Sequence, residues 1–269
     1  MDIGGFFANL FNSIFNPTPS AQTPTPDPVP TPLPVIPPVS APNPVAVPVP
    51  TVLPSPTPVP VPSPATTPVE LISIAALQLI IDSEGLDQPY LFPGGDSGIT
   101  IGLGDDLGYQ TVEEFKAKWA SLLPSAWISD LSTAIGIHGS RAAAMASKFK
   151  GIRIKMDDAT TVFKGYSLPE YYKLSLGAFP CLEKLCLHAK GAIVSLVYNR
   201  GASLEGSRRT EMAKIKSILD SAPDPADNDT YRAIAEQFRL MKRLWVGQGL
   251  DGLLARRDAE AALVERCIA

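Results

Sequence analysis

The chain has 269 residues and a formal net charge of −4, with acidic and basic residues scattered along its length. This distribution excludes the concentrated basic face that nucleic-acid-binding proteins need, so we expect no nucleic-acid partner. The 28 prolines are distributed unevenly, and their distribution divides the sequence into three parts.

Residues 1–16 are a short apolar and aromatic segment, MDIGGFFANLFNSIFN. Phe7, Phe11 and Phe15 recur every four residues, which predicts one face of a short helix. We expect this segment either to dock on a membrane or a virus particle, or to be a partly ordered terminus. No cleavable signal peptide is evident, because basic residues and a small-residue cleavage site are missing, and the apolar stretch is too short to span a bilayer.

Residues 17–68 contain 21 of the prolines, interleaved with Val, Thr, Ser and Ala. Proline fixes its own φ and has no N–H group to donate, so this stretch cannot build a packed core. The composition predicts a disordered, semi-rigid tether of polyproline-II type that precedes a folded domain at 69–269.

The folded domain begins with an apolar run from Val69 to Gly85, which predicts a largely buried helix. Glu84 lies on its last turn, where the helix dipole and partial desolvation disfavour a charged carboxylate, so this side chain suits a proton donor. The next segment, from Tyr90 to Gly108, alternates glycines with short β-prone pieces and predicts a small hairpin.

The rest of the domain has the patterns of helices. Thr111 and Glu114 have the spacing of a capping box, and an apolar run that ends at Gly201 predicts a central buried helix. The predicted fold class is therefore mainly α (α+β), with a helical lobe and a small β-hairpin corner. The other helices are expected at 125–135, 140–149, 157–163, 169–178, 231–245 and 250–268.

The three cysteines Cys181, Cys186 and Cys267 lack metal-ligand spacing, and His138 and His188 are far apart in the sequence. We therefore expect ordinary core thiols rather than a disulfide framework, and neither a metal site nor a cofactor.

The hairpin region carries residues that suit the cleavage of a glycosidic bond. That reaction needs a protonated acid at the leaving oxygen and a second group that handles an attacking water. Glu84 suits the acid. Across the hairpin, Thr100 can hold a water, and an ionised Asp105 or Asp106 can polarise it. Each signal alone is weak, because a glutamate before a glycine is common and an Asp-Asp pair usually caps a turn.

A resemblance strengthens this interpretation. The strings SEGL, SGITIGLG and DDLG, between Glu84 and Gly108, resemble the active-site region of the phage lysozyme family, and especially the muramidase domains of the pesticin type. LVYNRG at 196–201 and GLLARRDAEAAL at 252–263 are similar to a buried helix and a closing helix of that family. The resemblance covers most of 69–269 and does not extend to the first 68 residues.

The resemblance implies a lysozyme-like fold and a glycoside hydrolase that cleaves the β-1,4 bond between N-acetylmuramic acid and N-acetylglucosamine. Its partner would be a peptidoglycan strand, and inversion would require carboxyl groups roughly 6.5–9.5 Å apart. By resemblance Glu84 acts as the acid, Thr100 positions water and Asp106 acts as the base. Asp96 is a rival for the last role, since other phage lysozymes carry the aspartate before the threonine.

Several further residues have a functional and a plainer interpretation. Tyr90 and Asn199 are candidates for substrate binding, although Tyr90 could simply pack and Asn199 could belong to a structural helix cap. Arg256 and Arg257 are expected to pair with acids such as Asp258 and Glu260, as exposed helix charges usually do.

The biological setting has one leading interpretation and two alternatives. We expect a monomeric phage lysin, made in the host cytoplasm and acting in the periplasm or cell wall, or carried on the virus particle. The alternatives are a bacteriocin or secreted antibacterial effector, and a non-catalytic glycan-binding module on the same fold.

Overall fold

The computed structural model describes residues 70–269. The segments 1–16 and 17–68, with the predictions made for them, lie outside the described residues. The described part is mainly helical with one small antiparallel sheet, which confirms the predicted mainly-α class with a β hairpin. The α-helices are α1 (Ile74–Glu84), α2 (Val112–Trp119), α3 (Ser125–Ser132), α4 (Ser140–Met145), α5 (Met156–Val162), α6 (Leu168–Ala178), α7 (Leu187–Arg200), α8 (Thr210–Ser221), α9 (Asn228–Leu240) and α10 (Asp251–Glu265), and the strands are β1 (Thr100–Ile101) and β2 (Asp105–Asp106).

Shorter helical turns connect several of these elements. A π-helical turn joins α5 to α6 at Phe163–Ser167. The 3₁₀ turns are Leu107–Tyr109, Ala146–Phe149, Pro180–Lys184, Ser207–Arg209 and Met241–Leu244. Within residues 70–269, none of the helices is both long enough and apolar enough to cross a bilayer.

Helix α1 is shorter than the sequence predicts, and only one of its faces is buried. It begins after Ser73, whose hydroxyl accepts a hydrogen bond from the Ala76 N–H at 3.2 Å, as an N-cap does. Its buried face carries Ala76, Ile80, Ile81 and Glu84, whereas Ile74 is exposed. Gly85 ends it with a φ of +73°, so Glu84 lies on the last turn, as predicted.

Helix α7 is the central buried helix that the sequence predicts, and it packs against α1, α6 and α10. A Cβ atom on Gly191 would lie only 2.1 Å from the Cβ of Ala76, so the close approach of α7 to α1 requires glycine there. The helix ends at Gly201, whose φ is +74°. Helix α10 also packs against α1, so α1 is in contact with two helices.

The β corner is a hairpin of two antiparallel strands, each two residues long. Thr100 pairs with Asp106 and Ile101 with Asp105. The turn between the strands uses Gly102 and Gly104, with φ angles of +67° and +74° that L-residues with a Cβ rarely adopt.

Helix α8 is the element that the sequence analysis missed. Its apolar face is narrow, with Met212, Ile215 and Leu219 buried, and no side chain caps its first turn. Both usual signals of a helix are therefore weak there. In contrast, the capping box of α2 between Thr111 and Glu114 is confirmed.

The prediction of ordinary core thiols was wrong for two of the three cysteines. Cys186 and Cys267 form a disulfide with Cα atoms 6.1 Å apart, and Cys181 is a free, half-buried cysteine. Cys186 is the residue that precedes α7. The bridge therefore joins the start of the central helix to the chain just after α10, across a sequence separation of 81 residues.

Removal of this bridge should destabilise the domain. A disulfide restricts the unfolded chain and typically contributes about 2–4 kcal/mol, with larger values for longer loops. We expect Cys186→Ser, or treatment with a reductant, to lower the thermal unfolding midpoint. Cys181→Ser is the matched control and should change it little. Equal midpoints for both variants and the unreduced protein would contradict the expectation.

Candidate active site

Glu84 is held at the junction of α1 and α10. Its side chain is buried, with 6% of the residue exposed. Oε1 accepts a hydrogen bond from Nη1 of Arg256, and the two side chains form an ion pair. No residue of the described range 70–269 donates to the other carboxylate oxygen, Oε2. One oxygen of Glu84 is thus fixed and the other is left for a further partner.

Arg256 is buried, which contradicts the prediction of an exposed helix charge. Its Nε lies 3.3 Å from Oε1 of Glu260, and its Nη2 donates to the backbone carbonyl of Ser195 at 3.1 Å. Burial by itself lowers the pKa of Arg256, but the carboxylates of Glu84 and Glu260 outweigh it and raise the pKa above its ordinary value. The guanidinium therefore stays charged and fixes the orientation of the Glu84 carboxylate through its contact with Oε1.

Arg257 is also buried rather than exposed. Its Nη2 donates to Oε1 of Glu260 at 2.8 Å and to Oδ1 of Asn199 at 3.3 Å. Burial lowers its pKa to about 10. The expected pairing with Glu260 is confirmed, whereas Asp258 pairs with Lys242 instead, at 2.7 Å.

These contacts give Asn199 a structural task. Its residue is buried and its side-chain oxygen faces Arg257 inside the protein. The cap contact of α7 is the backbone N–H of Gly201, so the side chain of Asn199 serves as a partner of Arg257, and its role in substrate binding stays a prediction.

Thr100 and Asp106 are brought together by the hairpin. They are directly opposite each other in the strand register, so their side chains share one face of the sheet with Cβ atoms about 4.5–5.5 Å apart. The Thr100 hydroxyl has only a long contact of 3.5 Å to the carbonyl oxygen of Gly98. It is therefore weakly engaged and can reorient towards a water or a sugar.

The Asp106 carboxylate is positioned by the backbone. Oδ1 accepts hydrogen bonds from the N–H groups of Gly98 at 2.9 Å and Gly108 at 2.8 Å, while Oδ2 shares the Gly98 donor at 3.0 Å. Burial raises the pKa of Asp106, although the hydrogen bonds from Gly108 and Gly98 act in the opposite direction. Oδ2 keeps most of its capacity to accept a proton or a hydrogen bond.

Asp105 is turned to the other side of the hairpin and has a structural role. Its carboxylate pairs with Lys118 at 2.7 Å and accepts a hydrogen bond from Nε1 of the fully buried Trp119, also at 2.7 Å. These contacts fasten the hairpin to α2. Of the two neighbouring aspartates, only Asp106 shares a face with Thr100.

Two residues join the Glu84 region to the hairpin turn. The backbone of Asp87, three residues after Glu84, pairs with Gly102 through hydrogen bonds of 2.7 and 3.0 Å. From α7, the hydroxyl of Tyr198 donates to the Leu103 carbonyl at 2.6 Å. Burial raises the pKa of Tyr198 well above its ordinary value, and the negative charge of Glu84 raises it further. Tyr198 therefore contacts the hairpin turn directly and lies close enough to Glu84 for the carboxylate charge to affect its hydroxyl.

Asp96, the rival aspartate, lies in a different environment. Its side chain is 79% exposed and its Oδ1 is 3.2 Å from Nδ1 of His138. Hydrogen bonds lower the pKa of Asp96, and the bond with His138 has a larger effect than the bond with Tyr109. Asp96 contacts neither Thr100 nor Asp106, so the geometry favours Asp106 as the partner of Thr100.

Tyr90 packs against the loop before α5. The guanidinium carbon of Arg153 lies 4.3 Å from the centre of its ring, a cation–π contact. The structure thus gives Tyr90 a packing role, and its role in substrate binding stays a prediction.

Sequence reasoning missed Arg256 as part of this site. The signal that could have found it is the string LLARRDAEAAL, in which two arginines lie among apolar residues on a helix otherwise expected to pack. Arginines at such positions need buried acidic partners.

An open cavity of about 630 Å³ lies elsewhere on the domain, between α6, α8 and the loop after α7. Glu84, Thr100 and Asp106 are not among the residues that line it, so it does not mark the candidate site. The lining residues include Glu170, Leu174, Ala178, Ala202, Leu204 and Lys216.

Gly98 offers a direct test of how Asp106 is positioned. A Cβ on residue 98 would lie 2.4 Å from Oδ1 of Asp106 and 2.4 Å from the backbone nitrogen of Gly108. We expect Gly98→Ala to lower the free energy of unfolding by about 1–3 kcal/mol, since overpacking forces backbone shifts. Gly151→Ala is the control, because a Cβ there meets no atom within 4 Å. Equal urea midpoints for the two variants would show that the contact is not restrictive.

Across the part of the chain that the structure describes, no three His, Cys, Asp or Glu side chains are grouped as a metal site would require. In comparisons with known proteins, no family model matches the chain and no curated protein matches it.

Proposed function

We propose that this protein is a peptidoglycan hydrolase, a lysozyme that cleaves the β-1,4 bond between N-acetylmuramic acid and N-acetylglucosamine. The observation that carries the proposal is the state of Glu84. One carboxylate oxygen is fixed by the buried Arg256, the other is left open, and the adjoining hairpin sets Thr100 opposite Asp106.

Glu84 is the proposed general acid. Its protonated Oε2 would donate to the glycosidic oxygen as the bond to the sugar breaks. The carboxylate that this step leaves behind is then stabilised by Arg256, which is already in contact with Oε1. A charge fixed in advance and excluded from water stabilises a developing negative charge strongly, because no reorganisation is needed during the reaction.

Asp106 and Thr100 are proposed to handle the attacking water. The Thr100 hydroxyl orients the water, and Oδ2 of Asp106 accepts its proton as the water oxygen attacks the anomeric carbon. The backbone bonds from Gly98 and Gly108 hold Asp106 in one orientation. A water between the two carboxyl groups gives inversion, and no metal or cofactor takes part.

The raised pKa of Asp106 predicts a pH dependence. Asp106 accepts a proton only when it is ionised, so the rate should fall as the pH drops through its pKa. Because burial raises that pKa, the acid limb of kcat/KM should lie above about 3.9, the ordinary value for aspartate. The pH profile of reducing-end release from purified cell wall measures this. A rate that stays constant down to the ordinary value would contradict Asp106 as the base.

A phage lysin that acts in the periplasm or cell wall is the setting that we propose, with a bacteriocin or antibacterial effector as the alternative. The Cys186–Cys267 disulfide supports action outside a reducing cytoplasm, because such bridges persist in oxidising compartments. Attachment to a virus particle or membrane through residues 1–16, and a monomeric state, stay predictions.

A non-catalytic glycan-binding module is the second candidate. The observation in its favour is that Glu84 is ion-paired and Asp106 accepts three hydrogen bonds from the backbone, so each carboxylate also has a structural task. A protein that only binds glycan could keep both residues for stability.

Incubation of the full-length protein with purified peptidoglycan sacculi separates the two candidates. A hydrolase should clear the turbid suspension and release reducing sugar ends in a time-dependent manner. A binding module should sediment with the sacculi and leave turbidity and reducing ends unchanged. The second outcome would refute the proposed hydrolase.

A further inference from the structure

An exposed pair of stacked aromatic rings lies at the hairpin end of the domain. The rings of Tyr109 and His138 have centroids 5.2 Å apart and an angle of 22° between their planes. Tyr109 is 63% exposed and the His138 side chain 41%. By contrast, the neighbouring Phe115 and Trp119 are completely buried. The fold therefore leaves these two rings exposed to solvent while it buries Phe115 and Trp119, which follow Tyr109 in the chain and lie on α2.

Asp96 holds the two rings in place. The Tyr109 hydroxyl donates to the Asp96 backbone carbonyl at 2.8 Å and lies 3.2 Å from Oδ2, and Nδ1 of His138 lies 3.2 Å from Oδ1. The loop that carries His138 is fixed in turn, since the Gly139 N–H donates to the Ser97 carbonyl at 2.9 Å. Rings that are already ordered lose little conformational entropy when a ligand binds.

The same backbone that positions Asp106 positions these rings. Gly98, which donates to Asp106, forms an isolated β-bridge with His138. Asp106 caps the 3₁₀ turn that contains Tyr109. The stacked pair is therefore adjacent to the carboxylate that we assign to the attacking water.

We propose that Tyr109, His138 and Asp96 form a sugar-binding platform that takes a pyranose ring of the glycan strand, one subsite away from the bond that is cleaved. This inference rests on the proposed function. The C–H groups on one face of a pyranose carry partial positive charge and are attracted by the negative face of an aromatic ring. The Asp96 carboxylate is exposed beside the rings and can accept hydrogen bonds from sugar hydroxyl or N-acetyl N–H groups.

The platform predicts how soluble oligosaccharide binds. The probe is the β-1,4 tetramer of N-acetylglucosamine, titrated by calorimetry into the full chain with Glu84→Gln to prevent turnover. Tyr109→Ala and His138→Ala should each weaken binding by about tenfold, since each removes a stacking ring. Tyr109→Phe keeps the ring and should bind nearly as well as the parent. Tyr166→Ala removes an exposed tyrosine on another element and is the control.

Two results would overturn the platform. One is an unchanged affinity in folded Tyr109→Ala and His138→Ala variants, which would mean that these residues only stabilise the loop. The other is the absence of tetramer binding by the parent chain. If Tyr109→Ala does not fold, His138→Ala carries the same test.

Failure of the platform can be told apart from failure of the hydrolase. If sacculi are cleaved but Tyr109→Ala leaves both KM and tetramer affinity unchanged, only the platform is wrong. If the tetramer binds through the two rings but the protein with Glu84 intact releases no reducing ends, the hydrolase is wrong, and the two rings bind glycan without a neighbouring cleavage site.

Discussion

Arg256→Ala is expected to lower the free energy of unfolding by about 3–5 kcal/mol, because removal of one partner leaves a buried charge uncompensated. Two carboxylates, Glu84 and Glu260, depend on this guanidinium, and all three side chains are almost fully buried. Urea unfolding followed by circular dichroism measures the loss. Arg232→Ala is the matched control, since Arg232 pairs with Asp229 on the exposed surface and should contribute less than about 1 kcal/mol.

The coupling between Arg256 and Glu84 can be measured separately. In a double-mutant cycle of Arg256→Met and Glu84→Gln, residues that share a buried ion pair should show an interaction energy of about 0.5–3 kcal/mol. Arg256→Met keeps the volume of the side-chain stem and removes the charge. Additive effects of the two substitutions, or an Arg256→Ala variant as stable as Arg232→Ala, would contradict the contact on which the site depends.

Glu84→Gln is the second substitution with a large expected effect, and here the effect is on activity. Glutamine has the same shape but no carboxyl proton to donate, so the rate of wall hydrolysis should fall by about 10²–10⁴-fold, the range for loss of a general acid. The fold should persist, because Arg256 keeps its contacts with Glu260 and Ser195. Initial rates of reducing-end release at equal protein concentration measure the loss.

The control for this substitution is Glu236→Gln, which makes the same change from carboxyl to carboxamide at an exposed glutamate on α9. It should retain full activity and stability. Circular dichroism and thermal unfolding must show that Glu84→Gln is folded before its rate is interpreted. A folded Glu84→Gln protein that hydrolyses the wall as fast as Glu236→Gln would remove Glu84 from the mechanism.

The features that could be predicted from the sequence depend on neighbouring residues. The end of α1 at Gly85, the capping box of α2 and the end of α7 at Gly201 each follow from a few residues with known backbone preferences. The hairpin is likewise specified by its local pattern of glycines and β-prone residues. The facing pair of Thr100 and Asp106 could be anticipated because Asp106 follows Thr100 by six positions across a tight turn.

The features that could not be predicted depend on contacts between distant segments. Glu84 and Arg256 are 172 residues apart, and nothing in the string around either residue specifies the other. Exposed helix charges are far more common than buried ones, so Arg256 and Arg257 were assigned to the surface. The Cys186–Cys267 bridge was missed for the same reason, since its two ends meet only after α7, α9 and α10 have packed.

Asp106 shows why a local motif does not determine a role. The sequence offered a capping aspartate and a catalytic base as alternatives, and the structure contains the cap, with bonds to the N–H groups of Gly98 and Gly108. That capping geometry is compatible with catalysis, because it fixes the carboxylate and leaves Oδ2 able to accept.

Mass spectrometry of sacculus digests tests the central claim most directly. If Glu84 protonates the glycosidic oxygen between N-acetylmuramic acid and N-acetylglucosamine, the unmodified protein should release muropeptides that end in a reducing N-acetylmuramic acid, and folded Glu84→Gln should release none. Products that end in reducing N-acetylglucosamine, products cut in the peptide, or the same muropeptides from Glu84→Gln would contradict the account.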